Sequence, residues 1–151
     1  MPAKQRSFRV EGVVLSHTDY GEADRFLNIY TRQLGKVRVL AKGVRKVRSR
    51  KAGHLEPFTR SNLQLARGRD LFILTQAEAI EPHLRLSEDL VLLASASYII
   101  ELVERFTAEE EDNLPLYKLL VDSLGRLTAG DDPDIVHRYF EMRMLDYTGF
   151  R

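Results

Sequence analysis

Residues 35–42 read Gly-Lys-Val-Arg-Val-Leu-Ala-Lys, and their alternation governs the reading of the N-terminal half. Successive side chains of a strand point to opposite faces, so Val37, Val39 and Ala41 fall on one side and Lys36, Arg38, Leu40 and Lys42 on the other. Gly35 supplies the turn into this segment. The pattern predicts a strand that is apolar beneath and basic above. Upstream, Phe8 to Leu15 is rich in valine, and Arg25 to Thr31 alternates Phe26, Asn28 and Tyr30 against Leu27, Ile29 and Thr31. Downstream, Asn62 to Ala66 places Leu63 and Leu65 together, and Phe72 to Ala77 follows a turn around Gly68. Five such strands would leave long bare edges unless they closed on themselves. A five-stranded OB-like barrel over residues 1–80 is therefore expected.

Past Pro82 the hydrophobic period becomes helical. Leu90, Leu93, Ala94, Ser97 and Glu101 trace one line, and Leu92, Ala96, Ile99, Val103 and Phe106 another, predicting a central helix that is apolar nearly all round. Asn113 is placed to cap a second helix, with Pro115 in its first turn and Leu116, Leu120, Leu124 and Leu127 along one face. Gly130 ends it. Asp132 and Pro133 begin a third helix, whose buried side is expected to hold Ile135, Val136, Tyr139, Phe140 and Met144, with Gly149 as its stop. The fold class is α+β, with the barrel followed by a helical domain over residues 81–151.

The near-neutral total charge of +1 hides a division between the halves. Residues 1–80 hold 16 Lys and Arg against 7 Asp and Glu, a net of +9; residues 81–151 hold 7 against 15, a net of −8. A module that meets a phosphate backbone beside one that does something else has this distribution. The basic excess is concentrated in Lys36, Arg38, Lys42, Arg45, Lys46, Arg48, Arg50 and Lys51, with no acidic residue between them. Arg25, and Arg67 and Arg69 flanking Gly68, extend the candidate DNA-binding set. Lys36, Arg38 and Lys42 have fixed strand spacing, whereas Arg45 to Lys51 reads as an arm that follows a backbone without reading bases. Tyr20, Phe26, Tyr30 and Phe58 lie in or beside the strands. Each either stacks on a base or fills the barrel, and the sequence does not sort them.

Chemistry other than binding finds little support. There is no cysteine, so disulfides and thiolate zinc sites are ruled out. The four histidines, His17, His54, His83 and His137, are scattered without metal-binding spacing, and no phosphate-binding glycine loop or nucleophile elbow occurs. The acidic run Glu109 to Asp112 reads as a solvated connection, since consecutive residues do not converge on a cation. The sequence thus predicts a protein that is not an enzyme and needs no cofactor or metal. Met1 to Arg9 carries positive charge without an apolar segment after it, and Leu90 to Ile100 falls well short of the ~20 residues of a membrane span. Neither secretion nor a membrane is expected.

The segments Asp19-Tyr20-Gly21-Glu22-Ala23-Asp24-Arg25, Gly35-Lys36, Ala41-Lys42-Gly43-Val44-Arg45-Lys46, Gly53-His54-Leu55-Glu56-Pro57-Phe58 and Leu74-Thr75-Gln76-Ala77-Glu78 occur in the order and spacing of the RecO family of bacterial recombination mediators. The likeness continues more loosely through Ser97-Tyr98, Glu101-Leu102 and Arg138-Tyr139-Phe140-Glu141 to Gly149. This resemblance implies an N-terminal OB-fold and a helical domain, binding of single- and double-stranded DNA, and strand annealing. It also implies work with RecR to load RecA onto strands coated by single-stranded-DNA-binding protein, in the cytoplasm at the nucleoid. The helical half is then expected to receive the acidic, Phe-ended tail of that coat protein, with Lys118, Arg126, Arg138 and Arg143 as the candidate cations. Family members usually continue past the position of Phe150 with a cysteine-containing part, so the helical domain reads as incomplete relative to the family. Two alternatives stand beside this reading: an adaptor whose basic loop docks an acidic protein, and an OB-fold protein that handles RNA.

Overall fold

A computed structural model of the chain describes residues 7–46 and 52–149. Five strands come first: β1 (Ser7–Tyr20), β2 (Asp24–Thr31), β3 (Gly35–Ala41), β4 (Arg60–Arg67) and β5 (Phe72–Glu81). They close into a barrel in the order β1-β2-β3-β5-β4, so the expected OB-like barrel is present. Only the β3–β5 seam is parallel. β1 reaches 14 residues because it serves two partners, pairing with β4 from Ser7 to Val13 and with β2 from Gly12 to Tyr20. Beyond Leu15 it is polar, which is why valine content alone ends it early. A register shift between Val14 and Ser16 marks a bulge at Leu15, a device that bends a strand and lets the sheet close.

The barrel interior is filled by the apolar side of the alternation. Leu27, Ile29, Val37, Val39 and Ala41 pack there with Val10, Leu63, Leu65, Phe72 and Leu74. The outer side has two environments. Val13 and Tyr30, opposite one another across β1 and β2, join Leu15 and Phe58 in a second core made with the helices. The helices therefore sit against the β1–β2 wall.

Four helices follow: α1 (Leu84–Glu88), α2 (Leu90–Phe106), α3 (Leu114–Ala129) and α4 (Pro133–Tyr147). The polar residues at the starts of α2, α3 and α4 act as caps. The Asp89 carboxylate accepts from the backbone N–H of Val91 and Leu92, the Asn113 side chain from Leu116, and Asp132 from Asp134. Gly130, with φ of 96°, takes the left-handed conformation that ends α3. Leu116, Leu120, Leu124 and Leu127 form the buried face of α3, as their spacing predicts.

Three features differ from the sequence expectation. α1 is a short turn of helix that the periodicity does not reveal. α2 is one-sided rather than apolar all round: Leu92, Ala96, Ile99, Ile100 and Val103 are buried, but Leu90 and Val91 are 82% and 65% exposed. On α4 the buried line is Val136, Phe140 and Met144, four residues apart; Ile135 lies one step around the helix and is 64% exposed.

Polar contacts tie the barrel to the helices. The Tyr117 hydroxyl donates to the Glu11 carboxylate at 2.6 Å, and burial together with that bond holds the phenol well above its ordinary pKa. Arg60 reaches both Glu11 at 3.3 Å and Glu81 at 2.7 Å. His83 places Nδ1 2.9 Å from the Thr128 hydroxyl of α3. At the other end, the α2–α3 connection lies along the start of β3. Glu110 N–H donates to the Lys36 carbonyl, and a Cβ added at Gly35 would stand 2.2 Å from the Glu111 carbonyl oxygen. Gly35 is thus needed twice, for a φ of 70° and for this close approach.

Candidate nucleic-acid interface

The outward residues of β2 and β3 form one ladder, with Phe26 opposite Leu40, Asn28 opposite Arg38 and Tyr30 opposite Lys36. At its open end the ladder carries an aromatic and cationic stack. The rings of Tyr20 and Phe26 are 4.7 Å apart, and the Arg38 guanidinium lies 4.4 Å over the Phe26 ring. Tyr20 is 53% exposed, and Arg38 is exposed on the same surface. A ring face beside a guanidinium provides two surfaces on which a flat base can rest. Lys42 and Lys46 are exposed just beyond, where β3 runs out into the basic loop.

The turn beneath this stack is braced by paired charge. Arg45 donates to the Gly21 carbonyl at 2.5 Å and to the Asp24 carbonyl at 3.1 Å, and its guanidinium lies 3.6 Å from Asp19. Arg25 donates to Asp19 at 2.9 Å, and that hydrogen bond is the main reason the Asp19 carboxyl ionises below its ordinary pKa. The Asp24 carboxylate accepts the Gly43 N–H at 2.7 Å. Arg25 and Arg45 are therefore engaged in shaping the β1–β2 turn, and their positive charge is partly matched by Asp19. Asp19 and Asp24 are structural supports of this turn that a search for basic residues overlooks; the signal for them is the acid-rich hairpin turn around Gly21.

The other predicted site residues separate into distinct groups. Lys36 points to the helices, where its ammonium donates to the Glu104 and Thr107 carbonyls at 2.9 and 2.7 Å. A cation there satisfies the unpaired carbonyls at the α2 C-terminus, so its charge is spent inside the protein. Tyr30 and Phe58 are corrected from base-stacking candidates to core residues: both are buried, and Tyr30 stacks on Tyr117 with 6.5 Å between ring centres. Arg67 lies 4.6 Å over the Phe72 ring and 3.5 Å from Glu110. With the exposed Arg69 it borders the β4–β5 turn, which leads into Phe72, the residue paired with Val39 next to Arg38. Arg48, Arg50 and Lys51 lie outside the described residues.

In the helical part, Lys118, Arg126 and Arg143 converge while Arg138 does not. The Arg126 and Arg143 guanidinium groups each lie 5.4 Å from the centre of the Tyr139 ring. Tyr139 lines a groove between α3 and α4 of about 350 Å³, together with Leu114, Pro115, Lys118 and Leu119. Asp122 also lines it and pairs with Arg126 at 3.0 Å. Arg138 is exposed and lies outside this lining.

Comparison with known proteins agrees with both halves of this architecture. The family described as Recombination protein O N terminal matches residues 5–83, and that described as Recombination protein O C terminal matches residues 87–151. The chain belongs to the RecO family. It is 41% identical over 148 residues to the DNA repair protein RecO of Roseiflexus sp. (strain RS-1), covering 98% of this chain and 52% of that one. It is 43% identical over 145 residues to the DNA repair protein RecO of Desulforudis audaxviator (strain MP104C), covering 96% of this chain and 58% of the relative. The chain thus spans a little over half the length of the RecO relatives it matches. Among its described residues no helix is long and apolar enough to cross a membrane.

Proposed function

We propose that this RecO-family chain holds DNA on the open end of the barrel's outer face, as the DNA-binding part of a recombination mediator. The observation that carries this reading is the Tyr20–Phe26–Arg38 stack beside Lys42 and Lys46. It joins ring faces for unpaired bases to cations for the backbone, the combination that single-strand binders use. In this reading residues 1–80 are the DNA-binding unit and residues 81–151 carry protein contacts. Duplex DNA is held by the same cations through its phosphates alone. Two complementary strands held by such surfaces repel each other less and find register sooner, which is annealing without consumption of a nucleotide. The relatives' role in DNA repair supports the further steps: action with RecR, and loading of RecA onto strands coated by single-stranded-DNA-binding protein.

The groove around Tyr139 supports a second contact, with the acidic, Phe-ended tail of the coat protein. Leu114, Pro115 and Leu119 offer apolar walls for a terminal aromatic ring, and Lys118, Arg126 and Arg143 offer cations for its carboxylates.

Fluorescence anisotropy with a labelled single-stranded oligonucleotide tests the first proposal. Reversing Arg38, Lys42 and Lys46 to Glu should weaken binding and flatten its salt dependence; wild-type affinity and slope in that variant would move the DNA site elsewhere. A labelled tail peptide tests the second. It should be released by Lys118→Glu with Arg143→Glu, and equal binding to this variant removes the groove as the tail site.

A further inference from the structure

In the middle of the β2–β3 outer ladder, between the Phe26 and Tyr30 ends, stands Asn28, directly opposite Arg38. Asn28 is half-buried, and its amide nitrogen donates to the Ser16 hydroxyl of β1 at 3.0 Å. Ser16 in turn donates to the Glu104 carboxylate of α2 at 3.4 Å. The chemistry of this relay fixes its direction. A carboxylate only accepts, so the single hydroxyl proton of Ser16 goes to Glu104, and what Ser16 offers Asn28 is a lone pair. The atom of Asn28 that faces Ser16 is therefore the nitrogen. Turning the amide over would set oxygen against oxygen.

The other end of the amide is left as an acceptor with nothing to accept. Among the described residues only the Tyr30 hydroxyl is a buried side-chain polar atom without a partner, so the Asn28 Oδ1, which accepts no hydrogen bond, is reached by solvent. Across the ladder, Arg38 is exposed and rests over the Phe26 ring, and among the described residues its guanidinium makes no hydrogen bond or ion pair. Residues directly opposite on neighbouring strands have Cβ atoms about 5 Å apart, so these two side chains share one patch of the outer face. That patch carries ring faces at Tyr20 and Phe26, a fixed acceptor at Asn28 and free donors at Arg38.

We propose that Asn28 and Arg38 together take the Watson–Crick edge of an unpaired base whose ring rests on the neighbouring stack. This rests on the reading of the open end as the DNA face and says which form of DNA that face selects. Every base carries a donor next to an acceptor on that edge. In adenine and cytosine it is an amino group beside a ring nitrogen; in guanine and thymine it is an imino N–H beside a carbonyl oxygen. The fixed Oδ1 accepts from the donor and the guanidinium donates to the acceptor, so any base fits and none is singled out. In a duplex both groups face the opposite strand and are out of reach. The pair therefore selects unpaired DNA without selecting sequence, which phosphate contacts alone do not do. A base that finds its complement withdraws the same edge, so pairing itself loosens the strand from the surface. Ser16 and Glu104 are positioning residues for the acceptor.

Fluorescence anisotropy of the chain with labelled probes tests this. The probes are a thymidine oligonucleotide, the same strand methylated on every thymine imino nitrogen, which removes the donor, and a duplex of equal length. The wild-type chain should bind the methylated strand about fivefold more weakly than the plain one. Asn28→Ala should lose about the same factor on the plain strand, bind the two strands within about twofold of each other, and weaken duplex binding far less. Ser16→Ala, which frees the amide to turn, should shrink the penalty for methylation. Equal wild-type binding of the plain and methylated strands, or an Asn28→Ala loss as large on duplex as on single strand, would overturn the proposal and leave the relay as a tie between the barrel and α2. The DNA face itself survives either result as long as Arg38→Glu with Lys42→Glu and Lys46→Glu weakens binding. Undiminished binding by that triple variant overturns both.

Discussion

The two ends of the β2–β3 outer ladder have nearly the same chemistry and different fates. At one end Phe26 and Arg38 lie on an open face, stacked with an exposed Tyr20. At the other, Tyr30 and Lys36 repeat an aromatic beside a cation, but the ring is sealed against Tyr117 and the ammonium caps α2. An aromatic–cation pair on a strand face is therefore an open surface or a structural joint according to what packs over it. The helices make the choice, because Val13 beside Tyr30 gives them an apolar wall, whereas Ser16 and Asn28 interrupt that wall before Phe26.

The largest expected effect comes from breaking the sealed end. Tyr30→Ala removes a fully buried ring from the joint core and should cost about 3–5 kcal/mol in urea denaturation, whereas Phe26→Ala on the open end should cost clearly less. At the open end, Arg38→Glu with Lys42→Glu and Lys46→Glu should weaken single-strand binding about 50-fold or more at physiological salt. The log–log salt slope should fall by about 2, at ~0.7 per phosphate contact. Stability should barely change, since these are exposed side chains. Lys36→Met sharpens the contrast within the basic strand. It should cost about 1–2 kcal/mol of stability through the two lost charge-assisted bonds and leave DNA affinity within about twofold. A large loss of affinity with unchanged stability would return Lys36 to the proposed DNA face.

The smallest effect concerns the joint itself. Burial depresses the pKa of His83 below its ordinary 6.5, so the unfolded chain takes up a proton more readily than the folded one. Stability from this group is complete above the unfolded value and is lost as pH falls through 6.5 toward and past the folded value. His83→Asn, which tolerates the backbone φ of 51°, should flatten the stability profile just below pH 6.5. An unaltered profile would assign that slope to other groups.

Much of the fold was legible because it rests on local rules. The alternation in Lys36 to Lys42 separated inner from outer residues correctly, and Asn113, Asp132 and Gly130 marked helix ends where the structure has them. Legibility failed where burial depends on a partner distant in sequence. Ile135 and Val136 are both apolar and adjacent, and only the packing direction of α4 tells which one is covered. Composition likewise marked out Arg25, Arg45 and Lys36 with Arg38 and Lys42, yet could not show that the first two brace a turn and the third caps a helix.

By itself the sequence determined which residues turn inward along each strand, where the helices are capped, and that one half is basic and the other acidic. These follow from backbone geometry and composition, which neighbours in sequence control. The tertiary structure alone decided which outward residues remain outward. Covering Tyr30 and Lys36 required α2 and α3 to return onto the barrel wall from far along the chain, 68 residues on in the case of the Lys36–Glu104 contact, and apolar burial there turned half of a basic ladder into a joint. The uncovered half, Tyr20, Phe26 and Arg38, is left facing solvent.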